Sequence, residues 1–213
     1  MGLELLCKKI SDNLKMELNL DEDRRSIIEY GIFAFFQMII SIIVVAIIGF
    51  MFNVMVEALI ISFTGAFLRK FSGGAHASTP TNCAIVGTVI SVIPAYLFKN
   101  VNINYNYIMF IGILVYICSF IIIYKLAPVD SPNKPIKNIE KIKRLKRGSI
   151  IILSIYMIIV VLNLLLYYTN KSSFLLTYNF CIYIGIVWQV FTLTKYGHIL
   201  IKKIDFLLIK ILK

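Results

Sequence analysis

Residues 27–68 read IIEYGIFAFFQMIISIIVVAIIGFMFNVMVEALIISFTGAFL, an almost unbroken apolar run of 42 residues. Its strongly polar members are Glu29, Gln37, Asn53 and Glu57. A helix needs roughly 20 apolar residues to cross a bilayer, so the run is long enough for two crossings. Glycine and asparagine near its middle favour a tight turn at 49–53. The stretch therefore predicts two consecutive membrane helices.

The rest of the chain repeats this pattern. Further apolar segments occupy residues 83–98, 107–124, 150–168 and 174–193, and the third predicted span, 83–98, is short and contains Pro94. Hydrophobic residues make up 59% of the chain and charged residues only 15%, unlike an average soluble protein. We expect an all-α integral membrane protein with six transmembrane helices, forming a single membrane domain over residues 1–213.

Both ends of the chain have helical amphipathic patterns. Apolar residues recur at helical spacing among charged residues in 1–26 and again among lysines in 194–213. Such helices lie in the plane of the membrane, and packing against another subunit is the alternative. The charged first 26 residues lack the apolar core of a secretory signal peptide.

Basic residues are distributed unevenly between the two sides of this predicted topology. Residues 1–26, 69–82, 125–149 and 194–213 hold 20 of the 22 Lys and Arg residues, and Lys99 and Lys171 are the others. Basic loops stay in the cytoplasm, so we expect a multi-pass cell-membrane protein with both termini cytoplasmic. Anionic lipid and acidic partners suit this face. Topology accounts for the charge, which argues against nucleic acid as a partner.

The polar stretch 69–83, RKFSGGAHASTPTNC, places His76 seven residues before Cys83. The chain has two histidines and four cysteines in all. An imidazole that takes a thiol proton and returns it to a leaving amine makes a cysteine a nucleophile. The alternative is that the two residues share a loop by chance.

The residues around Cys83 favour the chemical reading. Ser78 or Thr79 can cap a helix whose first residue is Pro80, which puts Cys83 in its first turn. The positive end of the helix, with Arg69 or Lys70 nearby, favours a thiolate there. A continuous helix would separate His76 and Cys83 by roughly 10 Å, so we expect a folded-back loop with glycines at positive φ. The cysteines lack CxxC or metal-ligand spacing, so we expect neither a disulfide framework nor a metal or other cofactor.

Residues 69–76 together with Cys83 resemble the accessory gene regulator B family, the membrane peptidases of Gram-positive quorum sensing. A second segment, APVDSPNKPI at 127–136, looks like the family's A-P-x-x-x-P-N-K-P stretch. The predicted six spans and the basic loop 137–147 also fit, so the resemblance covers essentially the whole chain. The chain departs from the family after Tyr30-Gly31, where it lacks the usual Glu or Gln, and we carry over no role there.

The resemblance implies a substrate and a reaction. The substrate is a small propeptide with an amphipathic leader, a short signal core and an acidic C-terminal tail. Cys83, helped by His76, attacks the bond between core and tail and keeps the core as an acyl-thioester. A Cys or Ser of the core then closes a thiolactone or lactone ring. A homodimer is left open.

Other polar residues have two readings each. Residues that we expect to bind substrate or support the site are Arg69, Lys70, Gly73, Gly74, Pro80, Lys134 and Pro135. Arg69 and Lys70 could equally be basic anchors at the membrane surface. The basic residues of 141–147 could bind anionic lipid or an acidic tail. We expect Glu57 to lie inside the second span, paired or lining a polar cavity. Interhelical hydrogen bonds are expected from Gln37, Asn163 and Gln189.

A different class of protein, a small transporter, a membrane scaffold or an exporter of the processed peptide, fits six apolar helices equally well. Transporters place their polar sites near the middle of the membrane on broken helices. This chain concentrates its polar motif at the cytoplasmic end of the predicted spans, which favours the enzyme.

Overall fold

The computed structural model describes residues 2–99, 101, 104–130 and 138–211, and over these residues the fold is helical. The helices are α1 Leu3–Leu18, α2 Glu22–Met51, α3 Met55–Ser72, α4 Pro80–Phe98, α5 Tyr105–Leu126, α6 Ile139–Asn170, α7 Ser173–Phe191 and α8 Lys195–Ile211. This confirms the predicted fold class and both amphipathic end helices, α1 and α8.

Among the residues that the structure describes, five helices are long and apolar enough to cross a membrane: α2, α4, α5, α6 and α7. Helix α3 is 18 residues long and carries Glu57, Arg69 and Lys70, which dilute its apolar character. The chain is thus a multi-helix membrane protein, and the count of six spans stays a prediction.

The chain divides into two compact units, residues 1–44 and 45–213. In the first unit a turn with Asn19 in the left-handed conformation ends α1. The Arg25 guanidinium then binds Asp12 and Glu29 at 2.9 Å each and Glu22 at 2.8 Å. These contacts tie α1 to the start of α2. The expected single membrane domain over 1–213 stays a prediction.

Helix α7 packs against α3, α4, α5 and α6 in the second unit. Small residues allow the close approach: a Cβ on Gly185 would lie 2.7 Å from Cβ of Thr64 on α3. Asn163 on α6 donates a hydrogen bond to Asn179 on α7 at 2.9 Å. The interhelical bond predicted for Asn163 is confirmed, whereas that of Gln37 stays a prediction.

Three connections of the second unit meet at one end of its helices. The loop after α3 pairs with Val129 beyond α5, and its Ala75 amide donates to Thr192 beyond α7. Lys99 instead bonds the Asn53 carbonyl at 2.6 Å, which joins two connections that follow α2 and α4. Glu57 lies in the first turn of α3, which corresponds to the second predicted span, so its place within the membrane stays a prediction.

The basic segment after α5 is partly helical. Helix α6 begins at Ile139, capped by Asn138, whose side chain accepts hydrogen bonds from the Glu140 and Lys141 amides. The predicted span started at residue 150, because the hydropathy of a charged helical turn cannot be told from that of a loop. Residues 141–147 therefore form the first turns of a long helix.

Candidate active site

The site begins where α3 ends. Helix α3 stops at Ser72 because Gly73 adopts φ 68° and ψ −149°, and Gly74 follows with φ 128°. Residues with a Cβ rarely adopt either conformation. The positive φ expected for these glycines is confirmed, whereas a loop that folds back to bring His76 to Cys83 stays a prediction.

Two distant segments hold this glycine loop in place. Val129 donates its amide to Ser72 at 2.9 Å and pairs with Gly73, so closely that a Cβ on Gly73 would lie 2.1 Å from the Val129 carbonyl oxygen. On the other side, Gln189 of α7 donates to the Ser72 hydroxyl at 2.9 Å and to the Gly73 carbonyl at 2.7 Å. The backbone leading to His76 is therefore fixed from both sides.

Arg69 links the two predicted catalytic residues. From the last turn of α3, its Nη2 donates to the carbonyl of Ala75, the residue before His76. Its guanidinium also interacts electrostatically with both Cys83 and His76. Its Nε is buried and has no hydrogen-bond partner among the described residues. Arg69 therefore interacts with both predicted catalytic residues, and its Nε has no partner among the described residues.

Helix α4 begins as the sequence predicts. Thr79 is its N-cap and accepts from the Asn82 amide at 3.1 Å, and Pro80 is the first helical residue. The Cys83 amide donates to the Thr79 carbonyl at 3.1 Å. The half-buried Cys83 therefore sits at the end of the first turn, within the positive field of the helix start.

The cap limits which groups can stabilise an oxyanion. Backbone amides at 80–83 are candidates for this role, but Pro80 has no N–H, and the Asn82 and Cys83 amides are engaged by Thr79. Among these four residues only Thr81 is left to donate. The unpartnered Nε of Arg69 is a second donor close to the same chemistry.

The surroundings of His76 favour its neutral form. It lies in the loop between α3 and α4, and although part of its surface is exposed, loss of water around the ring and then the positive charge of Arg69 lower its pKa to about 4. Both effects disfavour the imidazolium. At neutral pH the ring is therefore unprotonated and able to accept the thiol proton.

This lowered pKa can be measured without any activity assay. In a His198→Ala variant, modification of His76 by diethylpyrocarbonate should be half-maximal near pH 4 rather than 6.5, because only the neutral imidazole reacts. Arg69→Gln should move the midpoint upward, since a positive neighbour is removed, and Arg69→Lys should move it less. Identical midpoints near 6.5 in all three proteins would contradict the assigned surroundings of His76.

The remaining predicted residues divide into three groups. Gly73, Gly74 and Pro80 shape the backbone of the site, as described above. Lys70 is exposed with its ammonium 5.8 Å from the centre of the Phe71 ring, so its predicted role in the site stays a prediction. Lys134 and Pro135 lie outside the described residues.

The other cysteines are free thiols elsewhere in the fold. Cys181 packs in an apolar cluster with Val45 and Ala58, Cys7 is buried, and Cys118 is exposed on α5. None of them has the helix start and neighbouring histidine that surround Cys83.

Sequence reasoning missed several residues that build the site. Gln189 was expected to bond between helices, which is confirmed, but not to hold the glycine loop. Val129 and Thr192 act through their backbones, which leave no signal in a sequence. Asp205 accepts a hydrogen bond from Asn82 at 2.8 Å. Its only signal is that it is the single acidic residue of 194–213.

The fold and the candidate site describe a class: a multi-helix membrane protein in which an arginine interacts with a cysteine and a histidine near the meeting of three interhelical connections. The profile of the family described as accessory gene regulator B matches residues 7–193. The chain belongs to this family.

Curated relatives agree with this membership. An AgrB-like protein of Clostridium perfringens strain SM101 is 45% identical over 206 residues, which cover 95% of this chain and 96% of the relative. Accessory gene regulator protein B of Staphylococcus intermedius is 32% identical over 50% of this chain and 54% of its own length. The Staphylococcus aureus protein of that name is 27% identical over 72% and 78%. No solved structure matches the chain.

Proposed function

We propose that this chain is a membrane cysteine endopeptidase that removes the C-terminal tail of a quorum-sensing propeptide. The observation that carries the proposal is the joint position of His76 and Cys83, both within the electrostatic reach of Arg69. Family membership supports the wider role in accessory gene regulation.

The reaction follows from these groups. His76 takes the Cys83 proton, and the sulfur attacks the carbonyl carbon between signal core and tail. The C–N bond breaks, His76 protonates the leaving amine, and the core remains as a thioester on Cys83. Arg69 Nε and the Thr81 amide stabilise the oxyanion. A core thiol or hydroxyl then displaces Cys83 and closes a thiolactone or lactone ring. When the attacking group is a thiol, one thioester is exchanged for another, which is nearly isoenergetic. A thiolactone ring can therefore form without nucleotide hydrolysis.

Intact-mass analysis tests the proposal on the unaltered protein. The purified chain is mixed in detergent with a propeptide of amphipathic leader, signal core and acidic tail. We expect free tail and an enzyme heavier by the acyl core, with the added mass on the Cys83 peptide and removed by hydroxylamine. Full-length propeptide with no adduct after long incubation would reject the peptidase and favour a transporter or exporter.

The basic first turns of α6 lie beside the last turn of α3. A Cβ on Gly148 would come within 2.3 Å of the Phe71 ring, and Lys146 lies 4.2 Å from the centre of the Tyr124 ring on α5. Five basic residues precede Gly148: Lys141, Lys143, Arg144, Lys146 and Arg147. The basic residues 141–147 are therefore near the end of α3, where the loop that carries His76 begins, and their charge suits an acidic tail.

Neutralising these five residues together should raise KM for the full-length propeptide several-fold and flatten its salt dependence, with kcat little changed. Exposed charges act through a field screened over about 8–10 Å at ordinary ionic strength, and the turn need not touch the scissile bond. Steady-state kinetics across a salt series, in neutral-lipid vesicles, measures this. If the turn binds only anionic lipid, the variant will match the parent there. The matched control is Lys99→Gln with Lys171→Asn.

We also propose that the catalytic loop faces the cytoplasm, because the basic residues lie on its side of the predicted topology. In a protein whose four native cysteines are replaced by alanine, single cysteines at Lys99 and Lys171 should react with an impermeant thiol reagent outside intact cells. A cysteine at the exposed Lys143 should not. The reverse pattern would invert the topology.

A further inference from the structure

The C-terminal helix α8 is joined to the start of the helix that carries Cys83. Asp205 of α8 accepts a hydrogen bond from the Asn82 side chain at 2.8 Å, and its carboxylate also interacts with Ser78, which precedes the Thr79 cap. Asn82 is only 4% exposed, and it is the residue immediately before Cys83. Asp205 thus holds residues on both sides of the Thr79 cap.

These interactions also affect the pKa of the Asp205 carboxyl group. Burial acts to raise the pKa of Asp205, yet the hydrogen bonds from Asn82 and Ser78 outweigh it and lower the pKa below its ordinary value. The carboxylate therefore stays ionised, and hydrogen bonds to an ionised acceptor are stronger than those between neutral groups.

Asp205 is well placed to control geometry rather than chemistry. The loop from Gly73 to Ala75 is held by Val129, Gln189 and Thr192, so the His76 side of the site has its own supports. The Cys83 side has the Thr79 cap and, through Asn82 and Ser78, the bonds to Asp205. Without the hydrogen bond to Asp205, the first turn of α4 has fewer contacts that fix its position relative to the loop that carries His76.

We propose that Asp205 is a positioning residue, through which α8 fixes the first turn of α4 and so sets Cys83 against His76. This rests on the proposed peptidase function. It assigns α8 a part in the active site in addition to any contact with lipid, and Asp205 lies beyond residues 7–193, which the family profile matches. A small misplacement of a nucleophile costs much of the rate, because the reacting atoms must meet within a narrow range of distance and angle.

Two substitutions separate the hydrogen bonds from the charge. Asp205→Ala removes both, whereas Asp205→Asn removes the charge and keeps a carbonyl oxygen for Asn82. We expect Asp205→Ala to lower kcat roughly tenfold with KM nearly unchanged, as loss of strong hydrogen bonds at a reacting group does. Asp205→Asn should retain most of the rate.

Asn82→Ala should resemble Asp205→Ala, and the double variant should be no worse than either alone. Lys202→Ala, an exposed change on the same helix, is the control.

All variants are made in a protein whose other cysteines are alanine. Rates are expressed per folded protein, measured as the monodisperse peak on size-exclusion chromatography in detergent, so that unfolded protein does not count. The proposal is overturned if the normalised cleavage rate of Asp205→Ala equals that of the parent. It is also overturned if Asp205→Ala and Asp205→Asn lose the same fraction of this rate. The rate at which iodoacetamide alkylates Cys83 needs no peptidase activity: it should fall several-fold in Asp205→Ala and stay within about twofold in Asp205→Asn. If the parent fails to cleave the propeptide, the peptidase is rejected, and the alkylation rates still decide the role of Asp205.

Discussion

Replacing Cys83 with alanine should abolish both tail release and the covalent peptide adduct, because the sulfur is the atom that bonds to the substrate. Replacing His76 with alanine should lower the rate by about 10²–10⁴, the usual contribution of a general base. The two variants differ in a second property: His76→Ala keeps a thiol that iodoacetamide labels at position 83. Tail release and adduct formation are both followed by mass spectrometry.

The matched control for Cys83 is the removal of the other three thiols. Cys7 and Cys181 are 1% and 2% exposed, so alanine is preferable to serine there, since a buried hydroxyl requires a partner. With Cys118→Ala added, this protein should fold and cleave nearly as the parent does. Normal cleavage by Cys83→Ala would exclude the cysteine mechanism, and loss of cleavage in the triple variant would point to another thiol.

Gly73→Ala should remove most activity even though the change adds only a methyl group. Gly73 has φ 68° and ψ −149°, a region nearly exclusive to glycine, and occupying it with another residue costs about 1–3 kcal/mol. The new Cβ would also lie 2.1 Å from the Val129 carbonyl oxygen, a backbone atom that cannot move aside cheaply. We expect a lower thermal midpoint in detergent and a loss of the Cys83 adduct, because the loop carrying His76 must shift.

Gly87→Ala is the control for this substitution. It lies in α4, four residues after Cys83, and a Cβ there would meet nothing within 4 Å. Alanine in a helix is typically better than glycine by up to about 1 kcal/mol, so this variant should be as stable as the parent or slightly more so. If Gly73→Ala behaves like Gly87→Ala in both stability and adduct formation, the loop conformation assigned to Gly73 is incorrect.

Much of the site was predictable because its signals are local. Thr79, Pro80 and Cys83 follow the ordinary rules for the start of a helix, which depend on adjacent residues alone. The Gly73-Gly74 pair likewise indicated positive φ. The inference that His76 and Cys83 form one site needed chemistry as well, since two rare polar residues in an apolar chain are more informative than the same pair in a soluble protein.

Helix boundaries were predictable only where polar residues interrupt the apolar pattern. The turn at 52–54 overlaps the predicted range 49–53 at two residues, because Asn53 interrupts an apolar run. Helix α6 begins at Ile139, far ahead of the hydropathy signal, because an N-cap and helical hydrogen bonds determine its start.

The sequence by itself determined the class of protein, the order of its long apolar helices and the amphipathic ends, and it predicted the residues that do chemistry, since these depend on composition, spacing and local propensity. Only the tertiary structure decided how the reactive residues are held together. Val129, Gln189 and Asp205 lie 53 to 129 positions after His76 in the chain, and they act through backbone groups or single hydrogen bonds. Such contacts depend on how helices pack in three dimensions, and nothing in the local sequence encodes which partner each polar group meets.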